Sequence, residues 1–361
     1  MAVTDSATQR SRKTWFSEAK TMTFLEEKAR SMWTSMMSGF CSGWRLQPAG
    51  NVGARSRPSQ CANGRGSVKD RSAERIRRCL LAALVILASV LPLSVSARTL
   101  DCPNVAAQAT SVAGAKSFAY RTEGRPLYLH VFAPRAGEHR APAIVFFFGG
   151  GWRIGKIDQF EAQALAFSKR GFVAVLADYR VACRDASTPL QSVADARAAY
   201  EWVRTNAAAL NIDASRIALS GGSAGGHLAL TVSMTVPQPE QPGALILFNP
   251  ALVDFMQEPW KELGLDQSQA DAISPALLPI GRMPPLLVMH SKQDSTIPIA
   301  GVRALCGRVL LADRACTLIE YPGLNHGFFN FRKIDPQTGV NPSDDSTAKA
   351  IDFLSQLGWA R

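Results

Sequence analysis

Residues Ile217-Ala218-Leu219-Ser220-Gly221-Gly222-Ser223-Ala224-Gly225-Gly226-His227 decide the fold. The run 217–220 is apolar and short, as a buried strand is, and Gly226-His227-Leu228-Ala229-Leu230 opens a helical stretch. Between them, Gly221-Gly222-Ser223-Ala224-Gly225 reads G-x-S-x-G in the strand–turn–helix setting that gives this pattern its meaning. The turn is sharp, so small residues must flank the serine. Its side chain then stands above the sheet edge, beside a helix N-terminus that favours developing negative charge.

Outward from this turn, two kinds of segment alternate. Apolar runs bounded by turn residues at 143–148, 173–178, 217–220, 244–248, 286–290 and 317–321 predict buried strands. Helical patterns lie between some of them. In 189–210, Leu190, Val193, Ala196, Tyr200, Val203, Ala207 and Leu210 recur every three or four residues, with Thr188 as N-cap and Pro189 first in the helix. A second helix is predicted over 298–311, capped by Thr296, and a last one from Ser343 to about Leu357. Residues 118–121 and 127–132 suit an antiparallel hairpin across Glu123-Gly124. The expectation is an α/β fold: a mostly parallel sheet with helices on both faces. Residues 251–282 leave room only for a small lid.

The first parallel strand ends in Phe146-Phe147-Phe148-Gly149-Gly150-Gly151-Trp152. Three glycines there let backbone N–H groups turn inward, and with the N–H of Ala224 they can form an oxyanion hole. A phosphate-binding loop would need G-x-x-x-x-G-K-[ST] or a G-x-G-x-x-G helix start, and neither occurs.

Taken together, Phe148–Trp152, Asp178-Tyr179-Arg180, Gly221–His227, His290–Asp294 and Asn325–Phe328 resemble the α/β-hydrolase superfamily. Within it they are similar to the bacterial acetylesterase/lipase group related to hormone-sensitive lipase and to feruloyl-esterase-like hydrolases. The resemblance runs from about Tyr120 to Leu357. It implies an α/β-hydrolase fold, a serine nucleophile at Ser223, an acyl-enzyme, and Gly150, Gly151 and Ala224 as oxyanion donors. It also implies a small-molecule ester as substrate, with acetylated carbohydrate a candidate, and no cofactor or metal. One departure is that Phe148 stands where the family usually has a loop-orienting His.

Elimination among the five histidines gives the base. His130 lies in the early hairpin and His139 in a loop before the sheet. His227 belongs to the turn's own helix and His290 ends a strand. His326 follows the last strand in a turn-forming loop, Pro322-Gly323-Leu324-Asn325-His326-Gly327, and fits the fold's order of Ser, acid, His. Asp294 follows the strand 286–290 directly and is the expected acid, holding the His326 tautomer. Asp178, near Arg180, reads as a brace for the glycine loop.

The charge balance locates a leader. Residues 1–78 carry 15 Lys/Arg against 6 Asp/Glu and the remainder 25 against 23, so the folded part is nearly neutral and nucleic-acid binding is not expected. Residues 80–93 are uncharged, preceded by Arg75, Arg77 and Arg78 and followed by Val95-Ser96-Ala97. That is a secretory signal over 68–97 with cleavage after Ala97, too short for a comfortable membrane span. An uncleaved signal-anchor is the alternative. Residues 1–67 read as a non-structural or mis-assigned leader, and 98–361 as the hydrolase domain. Four cysteines remain beyond the signal: Cys102, Cys183, Cys306 and Cys316. Export permits disulfides, with Cys306–Cys316 the expected pair and Cys102–Cys183 a weaker one.

An exported carboxylesterase acting on short acyl groups is the expectation. Its alternatives are a serine peptidase of the same fold, which normally carries an extra domain, and a catalytically silent binding protein.

Overall fold

Strands β3 (Ala141–Phe147), β4 (Val173–Ala177), β6 (Ala244–Phe248) and β7 (Leu286–Ser291) are buried at every position, as near-continuous apolar runs between two helical layers must be. They belong to a computed structural model that describes residues 100–135, 139–336 and 338–359. The expected leader 1–67 and signal segment 68–97 lie outside the described residues. With β1 (Lys116–Arg121), β2 (Leu127–Phe132), β5 (Ile212–Gly222) and β8 (Cys316–Tyr321), these strands form one sheet in the order β1-β2-β4-β3-β5-β6-β7-β8. β1 pairs antiparallel with β2, and β2 with β4. All remaining pairs are parallel. This is the expected α/β architecture.

Among the described residues the helices are α1 (Glu161–Lys169), α2 (Ala182–Asp185), α3 (Pro189–Thr205), α4 (Ala224–Thr235), α5 (Gln267–Ala272), α6 (Ile299–Leu311) and α7 (Pro342–Gln356). α3 begins as expected, with the Thr188 N–H donating to Gln191 Oε1 at 2.9 Å, but it stops at Thr205, short of Leu210. The Asn206 side chain donates to Trp202 O at 2.8 Å, and Asn211 takes φ 55°, which turns the chain into β5. α6 is capped at Pro298, not at Thr296. The N–H groups of Thr296 and Ile297 are instead bound by Asp294 Oδ1. α1 has no counterpart in the sequence reading, because its inward face is built from Gln163, Ala164 and Phe167 and carries little apolar signal.

Residues between β6 and β7 form the small lid, containing a 3₁₀ turn (Trp260–Leu263) and α5. Arg308 on α6 holds it by donating to Pro275 O at 3.0 Å and Leu278 O at 3.1 Å. Cys306 is bonded to Cys316 and Cys102 to Cys183, with Cα separations of 5.5 and 5.2 Å. The first bridge ties α6 to the start of β8, and a loop this short stabilises by roughly 2–3 kcal/mol. Among the described residues no helix is long and apolar enough to cross a membrane, and no His/Cys/Asp/Glu group could hold a metal ion.

The carboxyl ends of β3, β5, β6, β7 and β8 all open on one edge of the sheet. Parallel α/β sheets place their ligand sites at that edge.

Candidate active site

Ser223 sits between β5 and α4 at φ 52° and ψ −120°, a conformation that non-glycine residues rarely adopt. Such strain costs on the order of 1–3 kcal/mol and needs surroundings that over-determine it. Its N–H donates to Phe248 O at 3.0 Å, and its carbonyl accepts from His227 N at 3.1 Å and Ala251 N at 2.9 Å. The flanking glycines are steric requirements. A Cβ at Gly225 would lie 2.0 Å from Phe147 O, and one at Gly222 would lie 2.2 Å from Phe329 Cζ.

The Ser223 hydroxyl lies 2.9 Å from His326 Nε2. His326 Nδ1 lies 2.7 Å from Asp294 Oδ2. The three residues singled out from the sequence thus meet in one hydrogen-bonded chain. Asp294 is buried, and its Oδ1 accepts from the N–H groups of Thr296 (2.9 Å) and Ile297 (2.8 Å). Burial works to raise its pKa, but hydrogen bonds from His326, the Ile297 N–H and Asn249 hold the carboxyl below its ordinary value. It is therefore a carboxylate at neutral pH.

The acid and histidine loops are laced together. Gly323 N–H donates to Gln293 Oε1 at 2.7 Å, and Asn325 Oδ1 accepts from Ser295 N and Oγ, each at 3.2 Å. The Ser291 hydroxyl donates to Leu324 O. These bonds place His326 relative to Asp294 with little reliance on either loop's own stiffness.

Asn249, absent from the sequence reading, donates its amide to Asp294 Oδ2. Its only sequence signal is a polar residue directly after an apolar strand, in Leu247-Phe248-Asn249-Pro250. Asp178 does not pair with the neighbouring Arg180. Its partner is Arg125, at 2.6 Å, whereas Arg180 pairs with Asp195. Asp178 also accepts the Tyr179 N–H at 2.9 Å, so its link to the glycine loop runs through Tyr179.

In the glycine loop, Gly150 and Gly151 have φ 132° and 62°. Their N–H groups donate to no partner among the described residues, whereas the Gly149 N–H donates to Gln159 Oε1 at 2.6 Å. Ala224 opens α4, so its N–H has no carbonyl within the helix to bond. Phe148 is fully buried, with its ring stacked on Tyr179 at 4.0 Å. Trp260 of the lid closes over the loop, 3.5 Å from where a Gly151 Cβ would stand.

Three of the other four histidines, His130, His227 and His290, are buried and bonded to backbone carbonyls. His227 donates from Nε2 to Ile273 O at 2.8 Å, and burial lowers its pKa to about 4. His290 bonds Ile297 O at 2.9 Å, and burial lowers its pKa as well. His130 sits between Ser117 Oγ (2.8 Å) and Ala109 O (3.1 Å), and His139 is exposed. A cavity of about 520 Å³ opens between Leu252, Phe255, Ala270, Leu277, Leu305 and Arg308. None of Ser223, Asp294 and His326 lines it.

Residues 129–262 match the family model described as BD-FAE. Thermogutta terrifontis esterase 2, solved phosphoramylated by tabun, is 35% identical, with 69% of this chain and 96% of that chain covered and a TM-score of 0.62. The chain belongs to the α/β-hydrolase esterases. The same esterase has been solved with propionate bound, at 35% identity, the same coverages and a TM-score of 0.61. Among curated esterases, Mycobacterium tuberculosis LipC is 27% identical over 61% of this chain and 60% of its own length. The chain therefore spans less than two thirds of that relative's length. The acetylxylan esterase of Xylanibacter ruminicola is 27% identical over 52% of this chain and 41% of its own length.

Proposed function

We propose that this esterase is an exported serine carboxylesterase that hydrolyses short-chain, acetyl-type esters through an acyl-enzyme. The observation that carries the reading is the hydrogen-bonded chain from Ser223 through His326 to Asp294. Ser223 Oγ attacks the ester carbonyl as His326 Nε2 takes its proton. The carbonyl oxygen becomes an oxyanion, held by the N–H groups of Gly150, Gly151 and Ala224. When the intermediate collapses, the bond to the alkoxy oxygen breaks and His326 returns the proton to the leaving alcohol. Water, deprotonated by His326, then attacks the acyl-enzyme, releasing the carboxylic acid and restoring Ser223. Asp294 stabilises the imidazolium at each stage.

The short-acyl preference is supported by the propionate- and butyrate-bound forms of the Thermogutta esterase. Acetylated carbohydrate as substrate draws support from the acetylxylan esterase relative. Export is supported by two disulfides, which persist in oxidising compartments. A fluorophosphonate should label Ser223 and leave a Ser223→Ala protein unmodified. In a series of p-nitrophenyl esters, kcat/KM should peak at two to four acyl carbons, and acetylated xylo-oligosaccharides should release acetate. Purified protein that neither labels nor hydrolyses any member of the series refutes the reading in favour of a silent binding protein.

Phe148 does not impair this scheme, because the oxyanion donors are main-chain groups. Phe148→His is expected to keep turnover within about tenfold of wild type, whereas losing one donor typically costs about 10²–10³. Steady-state kinetics on folded Phe148→His protein checks this, and a collapse of kcat would assign the ring itself to the site.

A further inference from the structure

We infer that Gln159 and Tyr179 are positioning residues that clamp one peptide unit of the oxyanion loop and so aim its free N–H groups at the reacting carbonyl. The inference rests on the esterase reading of Ser223 and its oxyanion loop.

The loop needs such a clamp. Gly149, Gly150 and Gly151 lack side chains, so nothing intrinsic fixes their peptide planes, and a donor that wanders contributes little to an oxyanion. The unit joining Phe148 to Gly149 is pinned at both ends. Tyr179 Oη donates to its carbonyl, Phe148 O, at 2.6 Å, and its N–H, that of Gly149, donates to Gln159 Oε1 at 2.6 Å. Two units further on, Gly150 O accepts from Arg153 N and Ile154 N, both at 3.1 Å. That carbonyl shares its plane with the Gly151 N–H. The intervening unit carries the Gly150 N–H and is held between two fixed neighbours. A Cβ at Gly149 would lie 3.3 Å from Ser223 Cβ, so the clamped segment rests directly against the nucleophile.

Both clamp residues stand on rigid supports. Tyr179 is fully buried, stacked on Phe148, with its N–H on Asp178, whose carboxylate is paired with Arg125. Gln159 lies in the 3₁₀ turn Ile157–Phe160. Phe160 anchors that turn by stacking on Phe146 at 5.2 Å and on Phe329 at 5.3 Å. In this chain the clamp fixes the loop without a histidine at position 148.

Gln159→Met keeps the length and removes the acceptor, and Tyr179→Phe removes only the hydroxyl. Each is expected to lower kcat for p-nitrophenyl acetate by about 10–100-fold while KM moves less than about threefold, the signature of an interaction made in the transition state. An alkyl trifluoromethyl ketone gives a second readout. Ser223 Oγ bonds to its carbonyl carbon, the serine proton passes to His326, and the former carbonyl oxygen becomes an oxyanion in the hole. Its inhibition constant should rise by the same factor as kcat falls. Loss of a merely structural contact would leave that parallel absent. Gln159→Met protein that is folded with kcat within twofold of wild type, or changed in KM alone, overturns the inference. If Gln159→Met does not fold, Tyr179→Phe decides by the same criteria. Wild-type protein that fails to label at Ser223 sinks the esterase reading itself, which keeps the two failures apart.

Discussion

Ser223→Ala and His326→Ala are each expected to lower turnover by about 10⁴-fold or more, and the double variant to lose little further. On the proposed mechanism the two side chains perform one act. With Oγ 2.9 Å from Nε2, proton removal and attack occur together. A serine without the imidazole keeps its proton and is a poor nucleophile, and an imidazole without the serine has nothing to activate. What survives in any of the three variants is catalysis by the oxyanion donors and by substrate binding, which all three share. Turnover of p-nitrophenyl acetate by purified, folded variants measures this. Losses that multiply in the double variant would show that Ser223 and His326 act independently, and would end the assignment. His227→Ala is the control. Its ring bonds Ile273 O in the lid and touches neither group, so this variant loses stability yet keeps measurable turnover.

The parts legible in the sequence are those where one residue type carries the signal. G-x-S-x-G directly after an apolar strand located Ser223, and the order of serine, acid and histidine along the chain located the other two. The parallel strands were legible because burial on both faces writes them as unbroken apolar runs. What stayed hidden depends on contacts between distant segments. Asn249 reaches Asp294 across 45 positions, and Tyr179 reaches Phe148 O across 31. Gln159 is an ordinary polar residue in a turn until the fold sets it against the Gly149 N–H. Asp178 and Arg180 are close in sequence, but the hairpin before β2 brings Arg125 to Asp178, and Arg180 turns to Asp195. The end of α3 was misplaced because Ala207 and Leu210 continue the helical spacing after Asn206 has bonded back to Trp202 O. Periodicity cannot register such a stop.

Asp294→Asn is expected to lower kcat by about 10⁴-fold with KM little changed, although it replaces one oxygen by nitrogen. Asp294 Oδ1 accepts from two backbone N–H groups, those of Thr296 and Ile297, and Oδ2 faces His326 Nδ1 and the Asn249 amide. An asparagine keeps its single oxygen on the two backbone donors, since turning over would set its NH₂ against both. Its NH₂ then points at His326. The imidazole can meet a donor at Nδ1 only by carrying its own proton on Nε2. That proton faces Ser223 Oγ, so the ring has no lone pair with which to take the serine proton. The geometry survives while the tautomer is wrong. Two measurements check this together: kcat for a short aryl ester, and the ¹⁵N shifts of His326, which should exchange their protonated and unprotonated positions. A folded Asp294→Asn protein with kcat within tenfold of wild type would show that Asp294 is not the residue holding His326 in its working form. Asn249→Ala removes one donor from the carboxylate and leaves the tautomer intact, so its loss should stay far smaller than that of Asp294→Asn.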